Sequence, residues 1–352
     1  MGSTLLAQIE ETAAKRSDAG EAELRVVGIA NSRRALLDQG GVSLAEGPAG
    51  SPATWAEQLA NSGEEADAII VRALEHTSDP RIFVDCTASD HVSARYEELL
   101  SSGACVVAAN KRAFSGSMGR YRRLTEAAAR ASHAYFETTV GAGLPVLRTI
   151  RDLVAAGDEI QSVEGVFSGT LGFVLGEVMA GQRFSQALAE ARALGYTEPD
   201  PREDLSGQDV VRKLVIAARG GGLRIEPEHV GVEPLLPGEG WGDGDIDAFL
   251  AKTREADEAF SRHRFEALER GRHLCYLGSV SREGASVGLT SVGSEHPCFG
   301  LRGTDSVVII HTRRYPTPVV IRGAGAGPEV TAAGVLADIL TAVRESTNQG
   351  VS

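Results

Sequence analysis

The chain has 352 residues, 42% of them hydrophobic and 24% charged, which is ordinary for a globular protein large enough for two domains. Its formal net charge of -13 argues against nucleic acid as a main partner, because phosphate binding needs a basic surface. Four scattered cysteines without a CxxC pair, and no apolar run of about 18 residues, indicate a reducing, cytoplasmic setting without a zinc site, a disulfide framework or a membrane span.

Strands and helices alternate through the first part of the chain. The sequence predicts an amphipathic helix at 3–15, buried strands at 24–30 and 81–87, a third strand at 105–109, and helices at 55–60, 64–75, 91–101 and 118–132. Such an alternation is typical of a parallel, doubly wound sheet. We therefore predict an α/β domain over residues 1–134.

From residue 135 onward the pattern changes. Residues 135–145 are interpreted as a strand, a glycine turn and the start of a helix. Beyond them the sequence predicts strands at 162–167, 274–280, 306–312 and 318–322, and helices at 171–180, 184–194, 207–219 and 246–270. This mixture predicts an α+β second domain over 135–320, with a flexible Gly- and Pro-rich loop at 236–245. The last segment, 321–352, is predicted to be a strand end, a Gly-rich loop and a helix at 331–344.

Residues 196–213 carry the most informative pattern of the chain. Two prolines stiffen a loop that contains Glu198 and Asp204, and Asp209 and Lys213 share one face of the helix that follows. Carboxylates that hold an amino group, next to a lysine that reaches a reacting oxygen, suit a small zwitterionic substrate. Taken alone, the spacing of Asp209 and Lys213 is more typical of an ion pair on a solvated helix surface.

Ordered motifs along nearly the whole chain resemble those of homoserine dehydrogenase. The resemblance is to the homoserine dehydrogenase half of bifunctional aspartokinase–homoserine dehydrogenases, without the kinase half and without the C-terminal regulatory domain of many monofunctional members. It rests on Asp85-Cys-Thr-Ala-Ser89, Ala109-Asn-Lys111, Glu137-Thr-Thr-Val-Gly-Ala-Gly-Leu-Pro145, Ser168-Gly-Thr170, the stretch from Gly195 to Lys213, Gly325-Ala-Gly327 and the stretch from Val330 to Asp338.

The resemblance implies an activity and the residues that carry it. The implied reaction is the reversible, NAD(P)H-dependent reduction of L-aspartate 4-semialdehyde to L-homoserine, in threonine and methionine biosynthesis. Lys111 and Lys213 are implied to flank the reacting oxygen, where hydride transfer builds negative charge that an ammonium stabilises and can protonate. The implied substrate-binding residues are Glu198, Asp204, Asp209, Gly169, Thr170 and Tyr196.

The resemblance also implies a fold, cofactors and a partner. The fold is a Rossmann-type doubly wound sheet over 1–134 and a substrate-binding and dimerisation domain over 135–320, with 321–352 returning to the nucleotide-binding domain. The implied cofactor-binding residues are Thr87, Ser89, Lys111 and Gly327. The backbone around four residues resembles a monovalent-cation site for Na+ or K+, namely Glu137, Val140, Ala142 and Leu144. A homodimer is expected.

The choice of dinucleotide has one clue. Folds that select NAD usually end their second strand in an acidic residue, whereas an arginine nearby accommodates the 2′-phosphate of NADP. Here the strand at 24–30 is followed by Asn31, Arg33 and Arg34, with no acid among them. We therefore expect NADP(H) to be preferred over NAD(H). The alternative interpretation is that both arginines only cap the end of a strand.

The sequence departs from the family pattern at its start. The family opens with a strand and a glycine fingerprint, and Met1 to Leu6 aligns with the end of that fingerprint. We expect either a start upstream of Met1 or a shortened form, with the strands at 24–30 and 81–87 left unpaired inside the sheet. The shortened form motivates a rival hypothesis, a cofactor-deficient relative that binds substrate or a partner without turnover. A dehydrogenase for a related amino-acid semialdehyde is the third hypothesis.

Overall fold

The structure, a computed structural model, describes residues 1–45, 54–75, 81–131, 133–236, 241 and 244–349. The helices are α1 (Gly2–Asp18), α2 (Thr54–Asn61), α3 (Ala68–Glu75), α4 (Asp90–Ala94), α5 (Tyr96–Ser101), α6 (Arg112–Ser115), α7 (Met118–Ala131), α8 (Val146–Ala155), α9 (Gly169–Ala180), α10 (Phe184–Ala193), α11 (Pro201–Leu205), α12 (Gln208–Gly220), α13 (Ile246–Lys252), α14 (Asp257–Glu269) and α15 (Pro328–Gln349). The strands are β1 (Gly28–Ala30), β2 (Arg34–Leu37), β3 (Glu64–Glu65), β4 (Ile82–Asp85), β5 (Cys105–Ala108), β6 (Ala134–Tyr135), β7 (Ile160–Val166), β8 (Val230–Val232), β9 (His273–Ser281), β10 (Ala285–Val292), β11 (Asp305–Thr312) and β12 (Val319–Ala324).

The chain divides into two compact units. The first unit consists of Met1–Ala113, Arg122–Phe136 and Thr331–Ser352, and the second of Phe114–Tyr121 and Glu137–Val330. None of the helices in the described ranges is both long and apolar enough to cross a membrane.

The first unit contains a parallel sheet in the order β4-β5-β6. Every residue of β5 is buried, as expected for a central strand covered on both faces. The core of the unit combines the two ends of the chain, because one cluster contains Leu5, Ile9, Cys105, Val107, Tyr135, Ala332, Val335, Leu336, Ile339 and Ala342. The predicted α/β class with a Rossmann-type parallel sheet is confirmed.

The prediction of a buried strand at 24–30 is wrong in its length and its partner. Only Gly28–Ala30 is a strand, and it pairs antiparallel with β2 in a small sheet of order β1-β2-β3. The cause is a tight turn, since the side-chain oxygen of Asn31 accepts hydrogen bonds from the backbone N–H groups of Arg33 and Arg34 and folds the chain back on itself. Among the described residues, β4 therefore has only β5 beside it.

Two predicted helices of the first unit also differ in detail. The helix predicted at 64–75 begins at Ala68, because Glu64–Glu65 pairs with β2 as β3. The helix predicted at 91–101 is divided into α4 and α5 at Arg95. The predictions for α1, β5 and α7 agree with the structure within a few residues.

The second unit is built on a six-stranded mixed sheet in the order β12-β11-β7-β9-β10-β8. All neighbours are antiparallel except β8 and β10. Helices α8, α9 and α12 pack on its strands. The apolar stripe predicted for α12 is confirmed, with Val210, Val211, Leu214, Val215 and Ala218 all buried.

The sequence did not predict β8, β10 or α11, and it merged α13 and α14 into one helix at 246–270. A short 3-10 turn, Thr253–Ala256, separates these two helices. Most of the loop predicted at 236–245 lies outside the described residues.

Candidate functional site

A rigid acidic loop precedes α12 in the second unit. The carboxylate of Asp200 caps α11 by accepting from the backbone N–H of Arg202, and Pro201 occupies the first helical position. The guanidinium of Arg202 donates back to Asp200 at 2.6 Å, and this hydrogen bond lowers the pKa of Asp200. These contacts close a turn between Glu198 and Asp204 and fix the conformation of the loop there.

Asp204 lies at the centre of this site. Its Oδ2 accepts a hydrogen bond from the backbone N–H of Glu198 at 2.8 Å. The hydroxyl of Thr170, in the first turn of α9, lies 3.0 Å from Asp204 Oδ1 and 2.6 Å from the carbonyl oxygen of Tyr196. The structure therefore brings four of the predicted substrate-binding residues together: Thr170, Tyr196, Glu198 and Asp204.

Burial raises the pKa of Asp204 to about 6, and the neighbouring carboxylates of Glu198 and Asp209 add to the effect. The hydrogen bonds from Glu198 and Thr170 oppose the shift without cancelling it. Lys213 already pairs with Asp209, and the remaining carboxylates of Asp204 and Glu198 favour a second cation. The site therefore favours a positively charged group, such as the ammonium of an amino acid.

The ammonium of Lys213 is held on the buried side of α12. Its Nζ lies 2.9 Å from Asp209 Oδ2 and donates to the carbonyl oxygen of Phe167 at 2.7 Å. The Lys213 side chain is only 12% exposed, so this is not the solvated surface pair that the spacing alone suggested. A buried ammonium with fixed partners can stabilise a negative charge that develops beside it.

Gly207 sets the position where α12 begins. It adopts the left-handed conformation, with φ of 73°, and a Cβ atom there would lie 2.2 Å from the hydroxyl oxygen of Tyr276. That hydroxyl donates to the carbonyl oxygen of Glu233 at 2.7 Å. Sequence reasoning missed Tyr276 because it lies on β9, far along the chain. The only local signal was a glycine where a helix cap residue is usually polar.

Gly169 and Gly327 lie where a side chain is disfavoured. A Cβ on Gly169, the first residue of α9, would approach the carbonyl oxygen of Thr304 to 3.0 Å. Gly327 has a φ of 123° in the Gly-rich loop between β12 and α15. Both positions therefore favour glycine, and both belong to the second unit.

The carboxylate of Glu137, which was expected in a cation site, has a structural role that the sequence did not reveal. The buried Glu137 carboxylate accepts from the backbone N–H groups of Leu147 and Arg148 at 2.6 and 2.7 Å, so it caps the start of α8. Ala142 has a φ of 54°, which is rare for a residue with a side chain.

A buried hydroxyl lies next to this carboxylate in the chain. The hydroxyl of Thr138, next to Glu137, is buried without a hydrogen-bond partner among the described atoms. Carbonyl and hydroxyl oxygens are hard ligands that fit Na+ or K+. Within the described part of the chain, no three His, Cys, Asp or Glu side chains converge as a metal site.

The cofactor residues predicted in the first unit follow strands and turns. Asn31 and Arg33 lie in the exposed turn between β1 and β2, and Arg34 begins β2, where its guanidinium donates to the carbonyl oxygen of Ser62. Thr87 and Ser89 follow β4, and Lys111 follows β5. The parallel pairing of β4 and β5 brings these two loops to the same edge of the sheet.

Thr87 and Ser89 fit a ligand that accepts hydrogen bonds. Thr87 Oγ1 accepts from the backbone N–H of Ser89, and Ser89 Oγ accepts from that of Val92 at the start of α4. Each hydroxyl is used as an acceptor, which leaves its hydrogen to donate elsewhere. Donors at the carboxyl edge of parallel strands suit the carboxamide and ribose of a nicotinamide dinucleotide.

The fold and these two groups of residues define a dinucleotide-binding α/β protein. The chain belongs to the homoserine dehydrogenase family. The family model described as homoserine dehydrogenase matches residues 145–340, and the model described as homoserine dehydrogenase, NAD binding domain, matches residues 1–137. The resemblance drawn from the motifs is confirmed.

Individual relatives agree with this assignment. The chain is 39% identical to bifunctional aspartokinase/homoserine dehydrogenase 2 of Zea mays over 350 residues, 97% of this chain and 37% of the relative. It is 37% identical to the homoserine dehydrogenase of Saccharomyces cerevisiae over 278 residues, 77% of each chain. A hyperthermophilic archaeal homoserine dehydrogenase in complex with NADPH has a TM-score of 0.73 at 24% identity, covering 98% of this chain and 95% of the other, which supports the fold alone. The chain thus spans little more than a third of the length of the bifunctional relative.

Proposed function

We propose that the protein catalyses the reversible reduction of L-aspartate 4-semialdehyde to L-homoserine, in the synthesis of threonine and methionine. The observation that carries the proposal is the Lys213 ammonium, only 12% exposed and paired with Asp209, whose carboxylate adds to burial and to the carboxylate of Glu198 in raising the pKa of Asp204. Membership of the homoserine dehydrogenase family supports the choice of reaction. A nicotinamide dinucleotide supplies the hydride when it is bound.

Each group of the second unit has a role in this reaction. Glu198 and Asp204 hold the ammonium of the substrate, while Thr170, Gly169 and Tyr196 border the position that the substrate occupies. Lys213 lies beside the reacting oxygen, stabilises its negative charge and supplies the proton at Nζ. Asp209 and the carbonyl of Phe167 orient that ammonium. Lys111, in the first unit, is proposed as the second lysine of the reaction.

We further propose that NADP(H) is preferred over NAD(H). The support is the turn after β1, which has no acidic residue and exposes Arg33. Arg34 is less available because its guanidinium already donates to Ser62. Thr87, Ser89, Lys111 and Gly327 complete the proposed cofactor-binding set.

A monovalent cation, a homodimer and a cytoplasmic location are also proposals. The buried Thr138 hydroxyl and the backbone of Val140, Ala142 and Leu144 support a Na+ or K+ site next to Glu137. Two exposed residues, Tyr315 before the edge strand β12 and Val320 on it, support a dimer through the second unit. All four cysteines are free thiols, which supports a reducing compartment.

The test is the absorbance at about 340 nm of reduced cofactor formed from L-homoserine, with NADP+ and NAD+ compared and with Na+ or K+ present or absent. We expect reduced cofactor to form with a higher kcat/KM for NADP+. A protein that binds NADPH but oxidises a different amino alcohol faster would be a dehydrogenase for a related semialdehyde. A protein that binds no dinucleotide and oxidises no substrate would be the non-catalytic relative.

A further inference from the structure

Asp85 is a buried carboxylate that the proposed reaction does not use. It ends β4 and is 1% exposed. Its Oδ1 accepts from the backbone N–H of Thr87 at 2.7 Å, and its Oδ2 accepts from the hydroxyl of Tyr96 at 2.6 Å and from the side-chain amide of Asn110 at 3.0 Å. All three donors are neutral. A carboxylate is costly to bury, so this arrangement needs a reason beyond filling the core.

Asn110 extends the network to both loops at the edge of the sheet. Its Nδ2 donates to the carbonyl oxygen of Ser89 at 2.9 Å as well as to Asp85, and its Oδ1 accepts from the backbone N–H of Arg112 at 3.0 Å. The amide thus uses both hydrogens and its oxygen, which fixes its orientation. One side chain connects the end of β4, the 87–89 loop and the backbone on either side of Lys111.

The sheet itself does not hold these loops. The parallel ladder between β4 and β5 ends at the pair Asp85 and Ala108, and the N–H of Ala109 makes the last bond, to the carbonyl oxygen of Asp85. The residues proposed to bind the nicotinamide, Thr87 and Ser89, follow that end. No pairing in the sheet reaches them, so their position depends on the side-chain network and on the start of α4, where the backbone N–H of Ser93 donates to the carbonyl oxygen of Ser89.

We propose that Asp85 is a positioning residue that acts through Asn110 and the Thr87 backbone to hold Thr87, Ser89 and Lys111 in place for a nicotinamide dinucleotide. This inference rests on the proposed function. Asp85 touches neither substrate nor cofactor in this role. It sets the distance between two loops, and a misplacement of about 1 Å at such a site can cost about 100-fold in rate.

The test compares three variants of the full chain for NADPH binding by fluorescence, for kcat and KM, and for thermal unfolding. Asp85→Asn keeps the shape but puts an amide hydrogen against at least one existing donor, and Tyr96→Phe removes one hydrogen bond. Tyr135→Phe is the matched control, because the Tyr135 hydroxyl also donates to a carboxylate at 2.6 Å, that of Glu345, in the same unit.

We expect Asp85→Asn to weaken NADPH binding about tenfold or more and to lower kcat, because buried donors lose their acceptor. Tyr96→Phe should have a smaller effect of the same kind. Tyr135→Phe should lower the unfolding temperature and leave binding and kcat within about twofold.

Two outcomes would overturn the inference. One is that Asp85→Asn and Tyr135→Phe lower thermal stability alike while NADPH affinity and kcat stay at the wild-type values. The other is a wild-type protein that binds no NADPH. If the wild type binds NADPH, fails to oxidise L-homoserine, and loses affinity on Asp85→Asn, the positioning role stands and only the proposed reaction fails.

Discussion

The hydroxyl of Thr170 lies 3.0 Å from Asp204 Oδ1, although the two residues are 34 positions apart. The contact joins the first turn of α9 to the acidic loop, and the Asp204 carboxyl is half-buried between them. Because burial raises the pKa of Asp204 to about 6, this group changes its charge within the range in which the protein can be assayed.

The affinity for L-homoserine should depend on the charge of Asp204. A protonated Asp204 holds the substrate ammonium less well, so we expect KM to rise as the pH falls from about 8 to about 5, with a midpoint near the pKa of Asp204. In Asp204→Asn, KM should be high, on the order of 100-fold above wild type, and should lack this pH dependence. A wild-type KM that is constant across this range would contradict the role.

As the pH rises, the charge on Asp204 should lower the stability of the protein, whereas it should raise the affinity for the substrate. Its pKa is raised on folding from 3.8 to about 6, so its contribution to stability is full below the unfolded pKa and is lost as the pH rises through the folded pKa. Asp204→Asn should therefore gain stability relative to wild type on going from about pH 4 to about pH 8, by on the order of 1–3 kcal/mol. Thermal unfolding of both proteins at both pH values measures this, and an equal difference at the two would contradict it.

Lys213→Met should abolish most of the activity and preserve the fold. The methionine fills the same buried volume but leaves Asp209 and the carbonyl of Phe167 without their cation. We expect kcat to fall by about 100-fold to 10,000-fold, the usual effect of losing a positioned acid. Lys252→Met is the matched control, because that lysine lies over the ring of Trp241 and is not one of the proposed site residues. Equal activity of the two variants would remove Lys213 from the reaction.

Gly207→Ala should destabilise the start of α12 for two separable reasons. The left-handed backbone costs about 1 kcal/mol for a residue with a side chain, and the new Cβ would lie 2.2 Å from the hydroxyl oxygen of Tyr276. Gly195→Ala is the control for the backbone cost, because Gly195 has the same φ of 73° and no atom within 4 Å of a Cβ. Urea unfolding should show a larger loss for Gly207→Ala, and Tyr276→Phe in the same chain should restore part of the difference. Equal losses at the two glycines would rule out the clash.

Local patterns in the sequence were sufficient for the elements that position the site. The apolar stripe of α12 and the uninterrupted apolar run of β5 are properties of consecutive residues, and both are where the sequence predicted them. The prediction failed where a side chain redirected the chain, as when Asn31 turned a strand into a hairpin. It also failed for β10, whose small and polar residues form a strand because β8 and β9 lie on either side.

Contacts between distant residues were beyond the sequence for a different reason. Tyr276 reaches Gly207 because α12 packs on β9, and Asp85 reaches Asn110 because β4 and β5 pair in register. Glu137 carries a carboxylate that could bind a cation, yet its partners are the N–H groups that begin α8, ten residues later. The types of residue could be predicted from the sequence, but their contact partners could be identified only in the folded structure.

The shared core of α1, β5 and α15 has a consequence for the synthesis of the protein. Ala332, Val335, Leu336, Ile339 and Ala342 are made after the second unit, and they pack in one cluster with Leu5 and Ile9, which are made before it. The second unit, almost all of it translated earlier, can close its sheet while the ribosome is still adding α15. The first unit cannot complete its core until α15 has been made, and its apolar surface is exposed to aggregation during that interval.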